Sequence, residues 1–179
     1  MSVTKLPYQF DADELLSIYE TVDNQHYQSY ITSLDGQTYA YDYDFIKEQI
    51  SLKNFHLLNE MTVMNKFFVD SYVEEVYNTI AADFDISRAR FMTLDRVKRG
   101  YSYHKDASKR LHIPLVTNED NILLVDDVVH RLDVPGALYE VDTTKKHTAL
   151  NLGWEDRVHI VFDLKLDLDN VRYSKTFTH

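Results

Sequence analysis

A chain of 179 residues with 29 acidic against 19 basic side chains and a formal charge of −10 has the length of one domain with a sizeable core, and it repels phosphate backbones except at a short basic patch, KRGYSYHKDASKR (98–110). Cysteine is absent, which excludes disulfides and thiolate sites and leaves His and carboxylate to hold any metal. Only 4 Gly and 3 Pro occur, with no low-complexity run or repeat, so residues 1–179 are read as a single domain without a linker. No apolar run approaches the roughly 18 residues of a membrane span, and the opening MSVTKLPYQF lacks the apolar core of a signal peptide. The expectation is a cytoplasmic protein with neither a nucleic-acid nor a membrane partner.

Residues 1–87 are predicted to be a largely helical support layer. In DADELLSIYETV (11–22) an Asp cap precedes Leu15, Leu16, Ile18, Tyr19 and Val22 at helical spacing. The segment YAYDYDF (39–45) alternates Tyr with Asp and predicts a half-buried strand or an aromatic wall. FIKEQISLKNFHLLNEM (45–61) is helical or mixed. DSYVEEVYNTIAADF (70–84) repeats the first design with Tyr72, Val73, Val76, Tyr77 and Ile80.

From residue 88 the period changes from helical to strand-like. Short segments rich in Val, Ile, Leu, Phe and Tyr follow: ARFMTLDRV, GYSYHKD, RLHIPLVT, NILLVDD, VVHRLDV, ALYEVD, HTALNLG and RVHIVFDLKL. Breaks fall at Arg99-Gly100, Asn118 to Asp120, Pro135-Gly136, Thr143 to Lys146 and Gly153 to Asp156. A run of short strands after a helical layer predicts a mainly β fold over 88–179, a double sheet or jelly roll with the N-terminal helices packed on one outer face.

Strand parity divides these segments into faces. Arg110, His112 and Pro114 share one face of RLHIPL, and Leu111, Ile113 and Leu115 the other; in RVHIVFDL, Arg157, His159, Val161 and Asp163 oppose Val158, Ile160, Phe162 and Leu164. Taken alone, that is the pattern of half-exposed antiparallel strands with polar faces in water. His104 and Asp106, spaced i, i+2, project together from a strand and converge on one cation, although in a chain with 8 His such a pair is a chance-level match. HTALNLG adds His147 after the turn TTKK. Two His and one carboxylate bind non-haem Fe(II) on one face and leave positions open for a chelating cosubstrate and dioxygen, and zinc accepts the same trio. Arg157 lies beyond the NLGWED turn; only a reversal at Gly153 returns it to the same pocket, where its fork suits a carboxylate.

The ordered pieces His104-x-Asp106, RLHIPLVTN (110–118), PGALYEVD (135–142) and HTALNLGWEDRVHIVFD (147–163) resemble the iron(II)- and 2-oxoglutarate-dependent dioxygenases, and within them the aspartyl/asparaginyl β-hydroxylase-like family, on the branch of proline and other amino-acid hydroxylases. The resemblance covers about residues 88–164. It implies a double-stranded β-helix, with His104, Asp106 and His147 ligating Fe(II) and Arg157 pairing with the distal carboxylate of 2-oxoglutarate. It further assigns His112 to the cosubstrate, Arg110 to the substrate, and Asn151 and Gly153 to the turn after the distal His. Trp154 stands as a second substrate contact or a filler of the turn. The activity implied is hydroxylation of an unactivated C–H of an amino acid or peptidyl residue, consuming O2 and releasing succinate and CO2. The connection from Asp106 to Arg110 is shorter than the family pattern, and the chain ends soon after Arg157, which leans toward an open site.

Two other classes stay open from the residues alone. A cupin-type barrel uses the same triad for isomerisation or ligand sensing and gains no thermal protection from 2-oxoglutarate. A structural or interaction domain with a chance His-x-Asp retains no stoichiometric metal. Among the remaining histidines, His130 reads as a surface or hydrogen-bonded residue, and His26, His56 and His179 as solvent-facing; Tyr103 is expected to face away from His104.

Overall fold

The computed structural model describes residues 1–22, 28–37 and 43–169. Strand β1 (Val3–Gln9) leads into helix α1 (Ala12–Thr21), which starts where Asp11 Oδ1 accepts the amides of Asp13 and Glu14 at 3.1 and 3.0 Å, so the predicted cap satisfies two of the helix's free donors. Two short strands, β2 (Gln28–Tyr30) and β3 (Thr32–Ser33), precede helices α2 (Tyr43–Ser51) and α3 (Phe55–Asn59), strand β4 (Val63–Met64) and helix α4 (Tyr72–Ala81). Of the expected strand or aromatic wall at 39–45, residues 39–42 lie outside the described residues, and 43–45 form the first turn of α2 instead. The N-terminal layer is also less purely helical than its pattern suggests. β1 joins the large sheet against a later strand and β2 against another; β1 carries Pro7 and an exposed face, both tolerated at a sheet edge.

The later strands are β5 (Ile86–Leu94), β6 (Arg110–Val116), β7 (Asn121–Val125), β8 (Val128–His130), β9 (Ala137–Val141), β10 (His147–Asn151) and β11 (Arg157–Leu164). One sheet has the order β1-β9-β6-β11-β5-β2 and a smaller one β10-β7-β8, with every pairing antiparallel. The segment GYSYHKD is not a regular strand, contrary to its alternation. It touches β10 at two isolated bridges, Gly100↔Leu150 and His104↔His147, and a Cβ on Gly100 would sit 2.6 Å from Leu150 Cδ2. With that segment added, the chain passes back and forth between a β9-β6-β11-β5 layer and a (100–104)-β10-β7-β8 layer, staying within the second for the β7–β8 hairpin, the path of a jelly roll.

Helices α1 and α4 cover the outer face of the large sheet, while Ile46 of α2 and Leu58 of α3 pack with Tyr30 and Met61 in a separate cluster. Leu15 of α1 and Val73, Val76 and Ile80 of α4 join Leu111, Ile113, Ile160 and Phe162 in one apolar core. A second cluster, including Leu123, Val125, Tyr139, Val141 and Ala149, lies between the two sheets. The polar faces of β6 and β11 therefore do not meet bulk water: Arg157, His159 and Asp163 are all under 9 % exposed. Both faces of these strands are buried, and the polar one lines the interior of the roll.

Candidate metal centre and its cavity

His104 and His147 face each other across a mutual pair of backbone hydrogen bonds, His104 N to His147 O at 3.0 Å and His147 N to His104 O at 2.8 Å. Asp106 is held by its own amide, which donates to Thr143 O at 2.8 Å. The antiparallel bridge places the imidazoles with ring centroids 4.5 Å apart, and one ligand atom from each of His104, Asp106 and His147 lies within 4.8 Å of the others. His104 Nδ1 is 2.6 Å from Ser102 O and His147 Nδ1 is 3.0 Å from Lys145 O. A carbonyl only accepts, so each ring carries a proton on Nδ1 and turns Nε2 inward. Those two atoms stand 3.6 and 3.2 Å from the Asp106 carboxylate. The hydrogen bond to Asp106 raises the pKa of His104 against the cost of burial, and a divalent cation would take the place of that shared proton, with three ligand atoms facing a common point. The backbone partners of Nδ1 are the outer contacts that orient metal-ligating histidines. The residues present therefore fit a 2-His-1-carboxylate metal ion.

Electrostatics keep the carboxylate charged. Burial alone raises the pKa of Asp106, but Arg110, His104 and His147 outweigh it and hold the group far below the usual carboxylate range. Arg110 Nη1 lies 2.9 Å from Asp106 Oδ2, and its Nε lies 3.2 Å from Asp163 Oδ1. Asp163 also meets Arg88 Nη1 and Arg90 Nη1, each at 3.1 Å. Burial pushes Asp163 up and the three arginines more than reverse this, leaving it at about 2. Arg88 sits at a β-bulge: between Val161↔Arg90 and Asp163↔Ser87, β5 advances three residues while β11 advances two, and Arg88 has φ 50°. The backbone groups displaced there are bound by Met61 O and Thr32 Oγ1.

Arg157 reaches the same cavity as the triad. The turn before it is closed by the buried Asn151, whose Nδ2 donates to Leu94 O at 2.8 Å and Glu155 O at 2.7 Å, while Gly153 N donates to Asn151 Oδ1. This is the reversal that brings Arg157 inward. Burial lowers its pKa to about 10, so the guanidinium stays charged at neutral pH, and among the described residues no carboxylate pairs with it. Its Nη2 donates to His159 Nδ1 at 3.0 Å, and His112 Nδ1 lies 3.4 Å from the same atom. Burial, then the positive field of Arg157, hold His112 and His159 well below the ordinary histidine pKa. Both rings are neutral, and their Nε2 atoms have no hydrogen-bond partner.

The cavity encloses about 610 Å³ and is bordered by His104, Asp106, His147, Arg110, His112 and Arg157. Trp154, expected at the substrate, does not border it: the ring is 79 % exposed on the outer side of the β10–β11 turn, with Arg99 stacked over it at 5.8 Å. Arg110 borders the cavity but is engaged by two carboxylates, so it is no free clamp. His130 is half-buried and stands apart from the triad, His56 is exposed, and His26 and His179 lie outside the described residues. Tyr103 turns outward to Asp127, its hydroxyl 2.8 Å from Oδ1. Sequence reasoning did not single out Arg88, Arg90, His159 or Asp163 for the site. The parity of β11 had already put His159 and Asp163 on the face of Arg157, and Arg88-x-Arg90 in a strand otherwise suited to burial was the unused signal.

No family model matches the chain, and no curated protein matches it. Solved structures do. A 2OG-Fe(II) oxygenase family oxidoreductase from Burkholderia pseudomallei is 12% identical over 92% of this chain and 84% of its own, with a TM-score of 0.49. A Pseudomonas putida prolyl-4-hydroxylase is 12% identical over 92% of each chain, with a TM-score of 0.46. IDO from Bacillus thuringiensis is 11% identical over 87% of this chain and 81% of its own, with a TM-score of 0.42.

Proposed function

We propose that this chain is an Fe(II)- and 2-oxoglutarate-dependent oxygenase that hydroxylates an unactivated C–H bond of an amino acid or peptidyl residue. One observation carries the reading: a His-Asp-His set with inward Nε2 atoms shares a cavity with Arg157, a buried cation that no carboxylate pairs with among the described residues. Bound there, ferrous iron with 2-oxoglutarate and dioxygen supplies oxidative decarboxylation to succinate and CO2 coupled to insertion of oxygen into substrate. The chain's part is positional. His104, Asp106 and His147 hold the metal on one side, Arg157 receives the distal carboxylate of the cosubstrate, and His159 fixes the guanidinium from behind. His112 offers a neutral ring at the same wall, and the apolar side chains of Leu123 and Ala149 limit water. The order His104-x-Asp106, Arg110-x-His112, His147, Arg157 supports the aspartyl/asparaginyl β-hydroxylase-like branch.

Purified protein supplied with Fe(II), ascorbate and 2-oxoglutarate is expected to form succinate above background, with or without added amino acids, and His104→Ala and His147→Ala are expected to abolish it. Equal succinate formation in wild type and His104→Ala overturns the reading, as does its absence from both when a panel of amino acids and peptides also gains no oxygen atom by mass spectrometry.

A further inference from the structure

Charge on the cavity wall does not balance. Among the described residues, four buried or nearly buried guanidiniums border it, those of Arg88, Arg90, Arg110 and Arg157, whereas the carboxylates within reach are Asp106, at the cavity, and Asp163, behind it. A divalent cation at the triad and a dianionic cosubstrate cancel each other. Four guanidiniums against two carboxylates then leave two positive charges in surplus inside the roll. Buried charge without a counter-charge is unfavourable, and a guanidinium does not escape by losing its proton.

The surplus is not spread evenly. Arg157 stands opposite Leu94, Arg90 opposite Val161 and Arg110 opposite Asp163, so the second group of arginines begins four residues further along β11, roughly 13 Å from Arg157. Arg88 and Arg90 are 4 % and 1 % exposed, and among the described residues the Nε–H of each has no acceptor. Asp163 occupies one Nη of each and does not itself border the cavity. Arg88 is held in the left-handed region by the bulge in β5, a backbone strain that tends to persist where a side chain's position matters.

We propose that Arg88 and Arg90 form the recognition wall for a second oxyanion, the carboxylate or phosphate of a net-negative small substrate, separate from the carboxylate received by Arg157. The word substrate rests on the oxygenase reading; the anion site rests on the arginines alone. Planar forks suit both kinds of oxyanion. A cavity of about 610 Å³ shared with the cosubstrate is the size of a small-molecule site. A wall built for a charged group rejects the uncharged isostere strongly, because it leaves buried donors unpaired.

The test uses protein loaded with Mn(II) and saturated with N-oxalylglycine, an inert analogue of 2-oxoglutarate. Calorimetric titration compares L-aspartate with L-asparagine, L-glutamate with L-glutamine, and inorganic phosphate. At least one anion is expected to bind about 10-fold or more tightly than its neutral partner, or than chloride in the case of phosphate. Arg88→Gln and Arg90→Gln are expected to remove that preference with N-oxalylglycine affinity retained, and Arg88→Lys to keep part of it. Carboxylate or phosphate preference tells which oxyanion the wall reads. No anion preference over the neutral partners, or a preference that survives Arg88→Gln and Arg90→Gln in folded protein, overturns the proposal. If N-oxalylglycine itself fails to bind, the oxygenase reading falls, and the same titrations without it still decide the anion site.

Discussion

Arg157 is a desolvated cation positioned by a ring nitrogen, and its environment makes two quantitative predictions. Removing its charge leaves a cosubstrate carboxylate unpaired in a buried site, which costs about 2–5 kcal/mol. Arg157→Gln is therefore expected to raise the KM for 2-oxoglutarate by about 30-fold or more, measured by succinate formation, and to weaken N-oxalylglycine in parallel. His159 acts through Arg157 and not on the reactants. His159→Leu deletes one charge-assisted hydrogen bond, worth about 1.5–3 kcal/mol, so KM for 2-oxoglutarate is expected to rise about 10-fold with kcat nearly unchanged. His159→Gln, whose amide oxygen also accepts, is expected to restore most of it; a loss of kcat instead would assign His159 to the chemistry. The triad and Arg157 were legible only as a set: His104-x-Asp106 alone is a chance-level match, and the ordered pieces that resemble the dioxygenases pointed to His147 and Arg157. Trp154 was not readable, because a turn residue has no parity to say which side of the sheet it faces. Asp163 was passed over because a carboxylate on a strand looks solvated until its three guanidiniums, from two other strands, are seen around it.

The helices and sheet edges separate stability from chemistry. α1 lies on the outer face of the large sheet, across β6 and β11 from the metal ligands. Asp11→Ala removes acceptors for two amides and is expected to lower stability by about 1 kcal/mol in urea unfolding, with metal affinity unchanged. Altered metal binding would mean that the two faces of the sheet are coupled. At this scale the periodic elements were legible: α1, α4 and most strands from β6 to β11 follow their hydrophobic spacing. β1 and β2 were not: β1 is an edge strand with an exposed face and little pattern, and β2 is three residues long, its register on β5 set by partners about 60 residues away. The segment around His104 alternates like a strand but is tied to β10 at two points only, so local alternation overstated its regularity.

For the molecule as a whole, acid acts through the buried interior. His112 and His159 have folded pKa values below those of the unfolded chain, so as pH falls through about 6.5 the unfolded state binds protons first and stability drops. Asp163, near 2 when folded, also has a depressed value; its contribution is present above about 4 and is lost as pH falls toward 2. In chelator-treated protein His104, whose folded pKa its bond to Asp106 raises, adds stability as pH falls and opposes the two buried rings, which outnumber it, so the urea midpoint is expected to fall from pH 7 to 5 and again below pH 4. The double change His112→Gln, His159→Gln is expected to flatten the first, and an unaltered slope would mean that these rings are protonated in the fold. Conversely, Mn(II) at about 100 times its Kd is expected to add about 2.7 kcal/mol, reversed by chelator and absent from Asp106→Ala. The backbone tie between His104 and His147 has one more consequence. The amide protons that close that bridge belong to two of the ligands themselves, so whatever holds the ligands together also shields those protons. Deuterium uptake at His104 and His147 is therefore expected to slow when the ion enters and to recover when it leaves, while the amides of β11 keep their own pace, giving a clock for occupancy that needs no turnover.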